Sequence, residues 1–414
     1  MKTCGSCHRL FDDAGFCPID GAKLEEINLE SLPSSPDDKR VGQVVCDRYA
    51  IFRVVADGGM GRVYQAFDKK EGRNVALKIL HLEVAQDPVS VERFKREYDV
   101  SRSLLHPNIV EVHAFERTDD GSFALAMEYL EGEELRMLLK REKTMRPERV
   151  IRMVSQVAVA LAAAHERKQV HRDLKPDNLF LCHTPEGDVT KILDFGSVRD
   201  NSENAKKLTV MGTTIGSPFY MAPEQAQGLA ELDHRADVWS IAAIIYECLA
   251  GTVPFVGTTG PAILLAILTQ DPAPISQTGK AHEVPETLDE VIEVALAKDP
   301  NIRYGSIGAL ADALGKAYGL EGGHQAWAHM AESTLAEAIQ ARLPEKLEAH
   351  RAAQAAKPDL GAMDAAFSKT KAADDLPADY VVMGLPPERP KWFWPAIGGG
   401  AVLLLVVVAA IAFR

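Results

Sequence analysis

Two segments in the middle of the chain restrict its possible folds more than any other feature: VHRDLKPDNLF at residues 170–180 and KILDFG at residues 191–196. Asp173 suits the acceptance of a proton from a substrate hydroxyl group. Asn178 and Asp194 offer the hard oxygen ligands that magnesium prefers. Two acids and an amide in this order therefore predict a magnesium-dependent site for phosphoryl transfer.

A glycine-rich segment, VADGGMGRVY at residues 55–64, precedes these two segments in the chain. Glycine has no side chain, so its backbone amides can approach phosphate oxygens closely. A dinucleotide-binding site would need a helix after such a loop, as part of a βαβ unit. Residues 62–67 (RVYQAF) are instead strand-like, which places the glycines in the turn of a β-hairpin and disfavours a nucleotide-dependent oxidoreductase.

Lys78 interrupts an otherwise apolar strand, NVALKIL at residues 74–80, and should therefore point inward. A buried ammonium group is costly unless it is paired, so we expect a partner carboxylate and an anionic ligand. Glu97 is the natural partner, because it lies three residues from Phe94 on the inward stripe of the following helix. The alternative is a surface lysine whose stem packs along the strand, with Glu97 on a polar face.

With these motifs in this order, the chain resembles bacterial members of the eukaryotic-type (Hanks-type) protein serine/threonine kinase family over residues 49–318. Three further landmarks carry the resemblance: MAPE at residues 221–224, DVWS at residues 237–240, and Arg303 after Lys298-Asp299-Pro300. In this family the glutamate of the first landmark, here Glu224, pairs with the arginine. The resemblance implies an α+β, two-lobed protein kinase fold with a small β-rich N-terminal lobe and a larger helical C-terminal lobe.

The resemblance also implies a role for each residue of the catalytic centre. Lys78 would contact the α- and β-phosphates of ATP, and Glu97 would hold Lys78 in place. Asp173 would be the catalytic base, while Asn178 and Asp194 would bind the magnesium ion, which manganese could replace. The nucleotide site would further include the glycine loop, two residues of the strands beside it, the gatekeeper and the hinge. These residues are Ala56, Asp57, Gly58, Gly59, Met60 and Gly61 of the loop, Val63 and Ala76 of the strands, the gatekeeper Met127, and the hinge residues Glu128 and Tyr129.

Residues near the catalytic base imply the substrate class and a mode of activation. Lys175, two residues after Asp173, resembles the lysine of serine/threonine kinases and can steady the transferred phosphoryl group. Arg172 resembles the arginine that binds a phosphorylated activation loop in many kinases, where a phosphate adds a charge of about −1.5 to −2. We therefore expect autophosphorylation at Thr213 or Thr214, although exposed threonines in a loop need no such role.

The chain departs from the family pattern at two positions. Ala56 replaces the first glycine of the loop, but alanine tolerates most of the backbone angles needed there, so ATP binding should survive. Ser217 stands where the family usually has a threonine, and it retains a hydroxyl group. The alternative function is a catalytically silent, kinase-like scaffold, which the intact Lys78, Asp173 and Asp194 disfavour.

Residues 1–25 resemble a small zinc ribbon with two knuckles, and the candidate zinc ligands are Cys4, Cys7, Cys17 and Asp20. Asp20 occupies the place where a second C-x-x-C motif would put its cysteine, and carboxylate oxygens do bind zinc. His8 is the alternative fourth ligand, but its position next to Cys7 makes simultaneous coordination awkward. The alternative to zinc binding is a reduced, disordered tail.

Composition divides the rest of the chain into three parts. Residues 26–48 contain a Pro-, Ser- and Asp-rich stretch and are expected to be a linker. Residues 319–391 begin with an Ala- and Glu-rich stretch that favours a helix and continue as a juxtamembrane linker. Residues 392–413 hold no charged residue and are long enough to cross a hydrocarbon core of about 30 Å. The basic residues Arg389 and Lys391 precede this expected transmembrane helix, which indicates that the residues before it lie in the cytoplasm. The helix would anchor the chain in the inner membrane with its kinase domain in the cytoplasm. The alternative is a buried core helix.

The formal net charge of −13 would repel nucleic acid, and no run of lysine and arginine is long enough to overcome it. Cys46, Cys182 and Cys248 are scattered through apolar surroundings, which is typical of a reducing compartment and not of a disulfide framework. The family resemblance implies proteins that carry serine or threonine as partners, and the uncharged segment at residues 392–413 adds the membrane. The family resemblance also allows dimerisation and indicates a role in bacterial signal transduction.

Overall fold

The computed structural model describes residues 1–6, 9–11, 15–28, 38–195, 218–229, 231–278 and 284–356, with side chains up to residue 347. Several predictions fall outside these residues. They are the zinc ligand Cys7 and its alternative His8, the activation-loop residues Thr213, Thr214 and Ser217, the juxtamembrane linker after residue 356, and the membrane segment at residues 392–413. Within the described ranges, no helix is long and apolar enough to cross a membrane. Residues Met1–Gln354 form one compact unit.

The N-terminal module is a three-stranded antiparallel sheet with the strand order β2-β1-β3. Its strands are β1 (Lys2–Cys4), β2 (Leu10–Phe11) and β3 (Leu24–Glu26). Cys4, Cys17 and Leu24 form its buried centre, and Phe11 and Ala22 pack partly against them. The module therefore has a small interior of its own.

A six-stranded antiparallel sheet forms the small lobe, with the strand order β4-β5-β6-β7-β9-β8. Its strands are β4 (Val44–Val45), β5 (Tyr49–Asp57), β6 (Gly61–Asp68), β7 (Arg73–Leu80), β8 (Val112–Arg117) and β9 (Phe123–Glu128). The alternate residues Val75, Leu77 and Ile79 of β7 are fully buried, as the two-residue period of a strand requires. Part of the stretch expected to be a linker belongs to this lobe, because β4 pairs with β5 and the buried Asp38 lies 2.8 Å from Arg62.

Two helices, α1 (Leu82–Ala85) and α2 (Pro88–Ser103), connect β7 to β8. The α2 helix begins where the Asp87 side chain accepts hydrogen bonds from two backbone N–H groups of the first turn, which also contains Pro88. Phe94 is buried and makes an edge-to-face contact with Phe115, with ring centroids 5.8 Å apart. This packing turns one face of α2 toward the sheet, and Glu97 lies on that face.

The large lobe is built around α6 (Arg235–Ala250), in which nearly every residue is buried. A helix that is buried on all sides belongs at the centre of a core, and α6 ends at Gly251, whose φ of 74° suits glycine. The other described helices of this lobe are α3 (Leu135–Glu142), α4 (Pro147–Glu166), α5 (Pro223–Ala226), α7 (Gly260–Thr269), α8 (Thr287–Ala295), α9 (Ile307–Ala317), α10 (His324–Trp327) and α11 (Glu332–Ala356). A small sheet contains β10 (Gly132–Glu134), β11 (Leu179–Cys182) and β12 (Val189–Ile192). The expected α+β architecture, with one β-rich and one helical lobe, is confirmed.

Helices α10 and α11 add to the core of the large lobe beyond the boundary expected at residue 318. Trp327 is almost completely buried, and its indole N–H donates a hydrogen bond to the carbonyl oxygen of Glu321 at 3.0 Å. Gly315 makes room for this ring, because a Cβ atom there would overlap the ring carbons. Leu335 and Ile339 of α11 are also buried in the main core. The beginning of the Ala- and Glu-rich stretch is therefore part of the lobe.

Candidate active site

Lys78 projects from β7 toward α2, and its side chain is only 17% exposed. Its Nζ lies 2.9 Å from both carboxylate oxygens of Glu97. The same Nζ lies 3.4 Å from Oδ2 of Asp194, just after β12. One ammonium group therefore joins a strand, a helix and the KILDFG segment, and the pairing of Lys78 with Glu97 is present as expected.

Two carboxylates share this ammonium group. Lys78 and Glu97 are largely shielded from water, where charges interact strongly, whereas the Asp194 side chain is 38% exposed. Burial raises the pKa of Glu97 to about 7, and the nearby Asp194 carboxylate adds to the increase. Burial alone would lower the pKa of Lys78, but the carboxylates of Asp194 and Glu97 raise it above its usual value. Two negative charges face one positive charge, so this centre suits a divalent cation at Asp194.

The loop that leads into β11 brings three predicted residues together. Lys175 Nζ lies 2.7 Å from Oδ2 of Asp173. The side-chain amide of Asn178 donates a hydrogen bond to the backbone oxygen of Asp173 at 2.7 Å, so its side-chain oxygen is the atom that can bind a metal ion. The Asp173 side chain is 41% exposed and is thus open to a substrate.

Asp237, in the first turn of α6, holds the backbone of this loop. Its Oδ1 accepts a hydrogen bond from the N–H of Arg172 at 2.8 Å, and its Oδ2 accepts one from the N–H of His171 at 2.9 Å. His165 Nε2 lies 2.8 Å from the same Oδ2. Burial alone would raise the pKa of Asp237, but the hydrogen bonds from His165 and the loop hold it below its usual value. The DVWS motif predicted the start of a core helix, but the sequence did not predict that Asp237 holds the catalytic loop. An acidic residue inside a buried helix needs a polar partner, and this signal could have indicated the role.

The glycine-rich segment forms the hairpin between β5 and β6, as predicted. The N–H of Gly58 donates a hydrogen bond to the carbonyl oxygen of Gly61 at 3.0 Å. A Cβ atom at Gly61 would overlap the carbonyl oxygen of Ile79, so the close approach of β7 requires glycine there. Ala56 pairs with Val63 and has a negative φ, which explains why alanine is tolerated at its position.

His81 fixes the tip of this hairpin, a role that the sequence did not predict. Its Nε2 lies 2.9 Å from the carbonyl oxygen of Gly58 and 3.2 Å from Oδ1 of Asp57. Arg62 Nε donates a hydrogen bond to the Asp57 carboxylate at 2.9 Å, and the Arg62 contact lowers the pKa of Asp57. The glycine loop is therefore held by side chains from β6 and from the end of β7.

The other predicted nucleotide-site residues of the small lobe lie on neighbouring strands. Val63 of β6 pairs with Lys78, and Ala76 of β7 pairs with the gatekeeper Met127. Met60 packs partly against the hydrophobic cluster beneath α2. These residues surround the end of β7 that carries the lysine.

The hinge, residues 128–131, connects β9 to β10, and basic side chains contact its first two residues. Glu128 Oε1 lies 2.6 Å from Lys191 Nζ, and Arg53 donates a hydrogen bond to the hydroxyl oxygen of Tyr129 at 3.0 Å. Spacing along the chain gives no signal for either contact, so the sequence did not predict Lys191 or Arg53 as part of the site.

Glu224 and Arg303 form a buried ion pair with two parallel contacts. The Nη1–Oε1 and Nη2–Oε2 distances are both 2.7 Å, and the Arg303 side chain has no exposed surface. The guanidinium also donates to the carbonyl oxygen of Ala297 at 2.8 Å. The pairing expected from the family resemblance is therefore present, and it ties the MAPE motif to the large lobe.

The N-terminal module brings together Cys4, Cys17 and Asp20, three of the four predicted zinc ligands. One donor atom from each residue lies within 4.8 Å of the other two. Cys4 Sγ lies 3.2 Å from Asp20 Oδ2, near the separation of about 3.5 Å expected for two ligands of a tetrahedral zinc ion. Both cysteines are buried while Asp20 is exposed. Two sulfur donors and one carboxylate form a set that fits zinc.

A protein-family model described as "Protein kinase domain" matches residues 49–315. The serine/threonine-protein kinase pkn3 of Myxococcus xanthus is 36% identical over 270 residues, which cover 64% of this chain and 49% of that protein. The serine/threonine-protein kinase PknA of Mycobacterium tuberculosis is 37% identical over 279 residues, which cover 66% of this chain and 62% of that protein. The chain thus spans about half to three fifths of the length of these relatives.

Solved structures show the same similarity. The crystal structure of the Mycobacterium tuberculosis PknI kinase domain is 29% identical to this chain with a TM-score of 0.50, and the match covers 65% of this chain and 96% of that chain. A mutant of the same domain is 28% identical to this chain with a TM-score of 0.51, and the match covers 66% of this chain and 97% of that chain.

Proposed function

Because this chain belongs to the protein kinase family, as the match over residues 49–315 shows, we propose that it transfers the γ-phosphoryl group of ATP to serine and threonine hydroxyl groups of proteins. The geometry of the catalytic loop carries the proposal, since Lys175 and Asn178 both contact Asp173. The relatives pkn3 and PknA bear the name of serine/threonine-protein kinases, which supports the same substrate class. Such transfer would serve bacterial signal transduction.

In the proposed reaction, the substrate hydroxyl oxygen bonds to the γ-phosphorus as the bond from that phosphorus to the β–γ bridging oxygen breaks, which releases ADP. Asp173 accepts the hydroxyl proton. Lys175, 2.7 Å from Asp173, offsets the negative charge of the transferred group, and Lys78 orients the α- and β-phosphates. Asn178 and Asp194 would hold magnesium, which would supply further positive charge to the phosphates.

The test is incubation of the full chain with labelled ATP and magnesium, followed by mapping of the phosphorylated residues by mass spectrometry. We expect label on serine or threonine in the wild type, also with manganese in place of magnesium. Asp173→Asn should lower the rate by about 10²- to 10⁴-fold, because it removes the base. Asp119→Asn, a matched change of an exposed acid between β8 and β9, should leave the rate unchanged. Wild-type rates from Asp173→Asn, or no transfer by the wild type, would contradict the proposal.

We also propose that Thr213 or Thr214 is autophosphorylated and that Arg172 binds the resulting phosphate. Arg172 directly precedes Asp173, and both threonines follow Asp194 in the activation segment. Mass spectrometry should find phosphate on one of the two threonines. A variant with alanine at both positions should then transfer phosphate more slowly than the wild type, and equal rates would contradict the proposal.

We further propose that residues 392–413 cross the inner membrane and leave the kinase domain in the cytoplasm. The uncharged segment and the basic residues Arg389 and Lys391 that precede it support this orientation. The full chain should sediment with membranes and resist extraction by alkaline carbonate, whereas a chain that ends at residue 390 should remain soluble. Recovery of the full chain in the soluble fraction would contradict the proposal.

Finally, we propose that Cys4, Cys17 and Asp20 bind zinc together with Cys7. The close approach of the three described ligand atoms supports this proposal. Atomic emission should detect stoichiometric zinc in the purified wild type and a loss of zinc in Cys4→Ser. Cys46→Ser is the matched control, because Cys46 lies outside the module, and it should retain the metal.

A further inference from the structure

The N-terminal module has too small an interior to be stable without help. Its own buried cluster consists of Cys4, Cys17 and Leu24, while the buried Leu10 packs on the small lobe instead. Domains of fewer than about 40 residues generally need a metal, a disulfide or a partner surface. The N–H of Cys4 donates a hydrogen bond to the carbonyl oxygen of Arg9 at 3.0 Å. This bond connects the candidate ligand Cys4 directly to Arg9, which the strand β2 follows.

Strand β2 packs on the sheet of the small lobe through Leu10. The Leu10 side chain is 1% exposed and lies against Ala50 and Phe67. The side-chain amide of Asn74 donates to the carbonyl oxygen of Leu10 at 2.8 Å and accepts from its N–H at 2.9 Å. Asn74 lies on β7, the strand that also carries Lys78. The module therefore contacts a strand of the nucleotide site.

Arg9 gives the module a second contact, with the hinge. Its Nε and Nη2 lie 2.6 and 2.9 Å from the two carboxylate oxygens of Glu131. Two parallel hydrogen bonds fix the orientation of both side chains as well as their distance. Glu131 lies two residues after Tyr129, so this pair holds the segment that connects the two lobes.

We propose that a metal ion bound by Cys4, Cys17 and Asp20 stabilises β7 and the hinge, so that metal occupancy increases the affinity of the cleft for ATP. The inference rests on the zinc site and the nucleotide site proposed above. Sulfur and oxygen donors in this set suit zinc or a similar divalent cation. Loss of the metal removes the order that positions Arg9 and Leu10, and with it both contacts to the nucleotide site. Coupling between two binding sites is reciprocal, so ATP increases the affinity for the metal by the same factor.

The test compares dissociation constants for a non-hydrolysable ATP analogue, measured by calorimetry on the full chain in zinc-loaded and zinc-stripped forms. The stripped protein is first dialysed into magnesium buffer without chelator. We expect the stripped form to bind the analogue about fivefold or more weakly, and added zinc to restore the affinity. Arg9→Ala should keep its zinc and yet bind the analogue more weakly than the zinc-loaded wild type, though not more weakly than the stripped form, because it removes one of the two contacts. Cys46→Ser, the matched cysteine control, should behave like the wild type in both forms.

Equal dissociation constants in the zinc-loaded and stripped wild type would overturn the inference. Binding by Arg9→Ala as tight as that of the zinc-loaded wild type would overturn it as well, and so would a purified chain that neither contains zinc nor takes it up. Phosphoryl transfer at saturating ATP, measured on the same samples, separates this inference from the kinase proposal. If the protein transfers phosphate but zinc does not change its affinity for the analogue, only the coupling is rejected. If zinc changes the affinity but no phosphate is transferred, the coupling is supported and only the kinase activity is rejected.

Discussion

Lys78 Nζ lies 2.9 Å from both carboxylate oxygens of Glu97, and this pair connects a central strand of the small lobe to helix α2. A displacement of α2 would leave a buried ammonium group without this partner. Breaking a buried ion pair by removing one partner generally costs about 3–5 kcal/mol. The position of α2 therefore determines whether Lys78 is available in the orientation that binds phosphate.

Glu97→Gln should impair ATP binding, because it removes the charge that orients Lys78. We expect kcat/KM for ATP to fall about 100-fold, which is typical of a misplaced binding group. Glu92→Gln is the matched control on the same helix, since the Glu92 side chain is 76% exposed and lies 3.9 Å from Arg96. Steady-state kinetics of both variants check this prediction, and equal losses in the two would contradict it.

The Lys78–Glu97 pair should also respond to pH near neutrality. Burial raises the pKa of Glu97 from its ordinary value of 4.5 to about 7. Between these two values the folded protein retains a proton that the unfolded chain releases, so the contribution of Glu97 to stability falls as pH rises. The ionised form that holds Lys78 predominates only above the raised pKa. Affinity for ATP should therefore increase with pH over the range in which the stability contribution decreases.

Parallel titrations from about pH 5 to about pH 8 test whether ATP affinity rises while the free energy of unfolding falls. For both ATP affinity and the free energy of unfolding, the informative quantity is the difference between the wild-type value and the Glu97→Gln value at each pH. Titration of the nucleotide itself is common to both proteins and cancels from that difference. A difference that does not vary with pH would show that the pKa of Glu97 is not raised.

Glu224→Gln should destabilise the large lobe, because it leaves the buried guanidinium of Arg303 without a countercharge. We expect a loss of about 3–5 kcal/mol in the free energy of unfolding. Denaturant titration should show a lower midpoint with an unchanged slope. Glu133→Gln, which breaks the 2.6 Å pair with the 58% exposed Arg141, should cost about 1 kcal/mol or less. A similar loss of unfolding free energy in both variants would show that burial of the Glu224–Arg303 pair does not make it more important for stability than an exposed pair.

The catalytic loop was predictable because its functional groups lie close together in the sequence. Asp173, Lys175 and Asn178 share one short loop, so local backbone geometry alone brings their side chains into contact. Lys78 and Glu97 were predictable for a different reason. A charge inside an apolar pattern needs a partner, and only a few acidic residues lie on the inward face of the following helix.

The contacts that hold these groups in place were not predictable from one sequence. Asp237 and Arg172 are separated by 65 positions, and their hydrogen bond depends on how α6 packs in the large lobe. His81 contacts Gly58 only because β7 lies beside the glycine hairpin. The strand β4, with two residues, is too short for its alternation to be recognised, so its region resembles a linker in the sequence.

Residues beyond position 318 should be required for the stability of the large lobe. Trp327 is 1% exposed, and its ring occupies the space beside Gly315. Trp327→Ala should lower the free energy of unfolding by about 3–5 kcal/mol, because it leaves a cavity in the core. Gly315→Ala should also destabilise the fold, by about 1–3 kcal/mol, because the added methyl group would overlap the ring. This overlap should outweigh the better helix propensity of alanine.

Denaturant titration of both variants and of the double variant tests whether Trp327 and Gly315 share one contact. Gln325→Ala, an exposed change on the same helix as Trp327, is the control and should shift the free energy of unfolding by no more than about 0.5 kcal/mol. In the double variant the added methyl group enters space that the indole ring has left. Gly315→Ala should therefore cost less in the Trp327→Ala background than in the wild type. Strictly additive losses would mean that the stretch after residue 318 stabilises the lobe through other contacts.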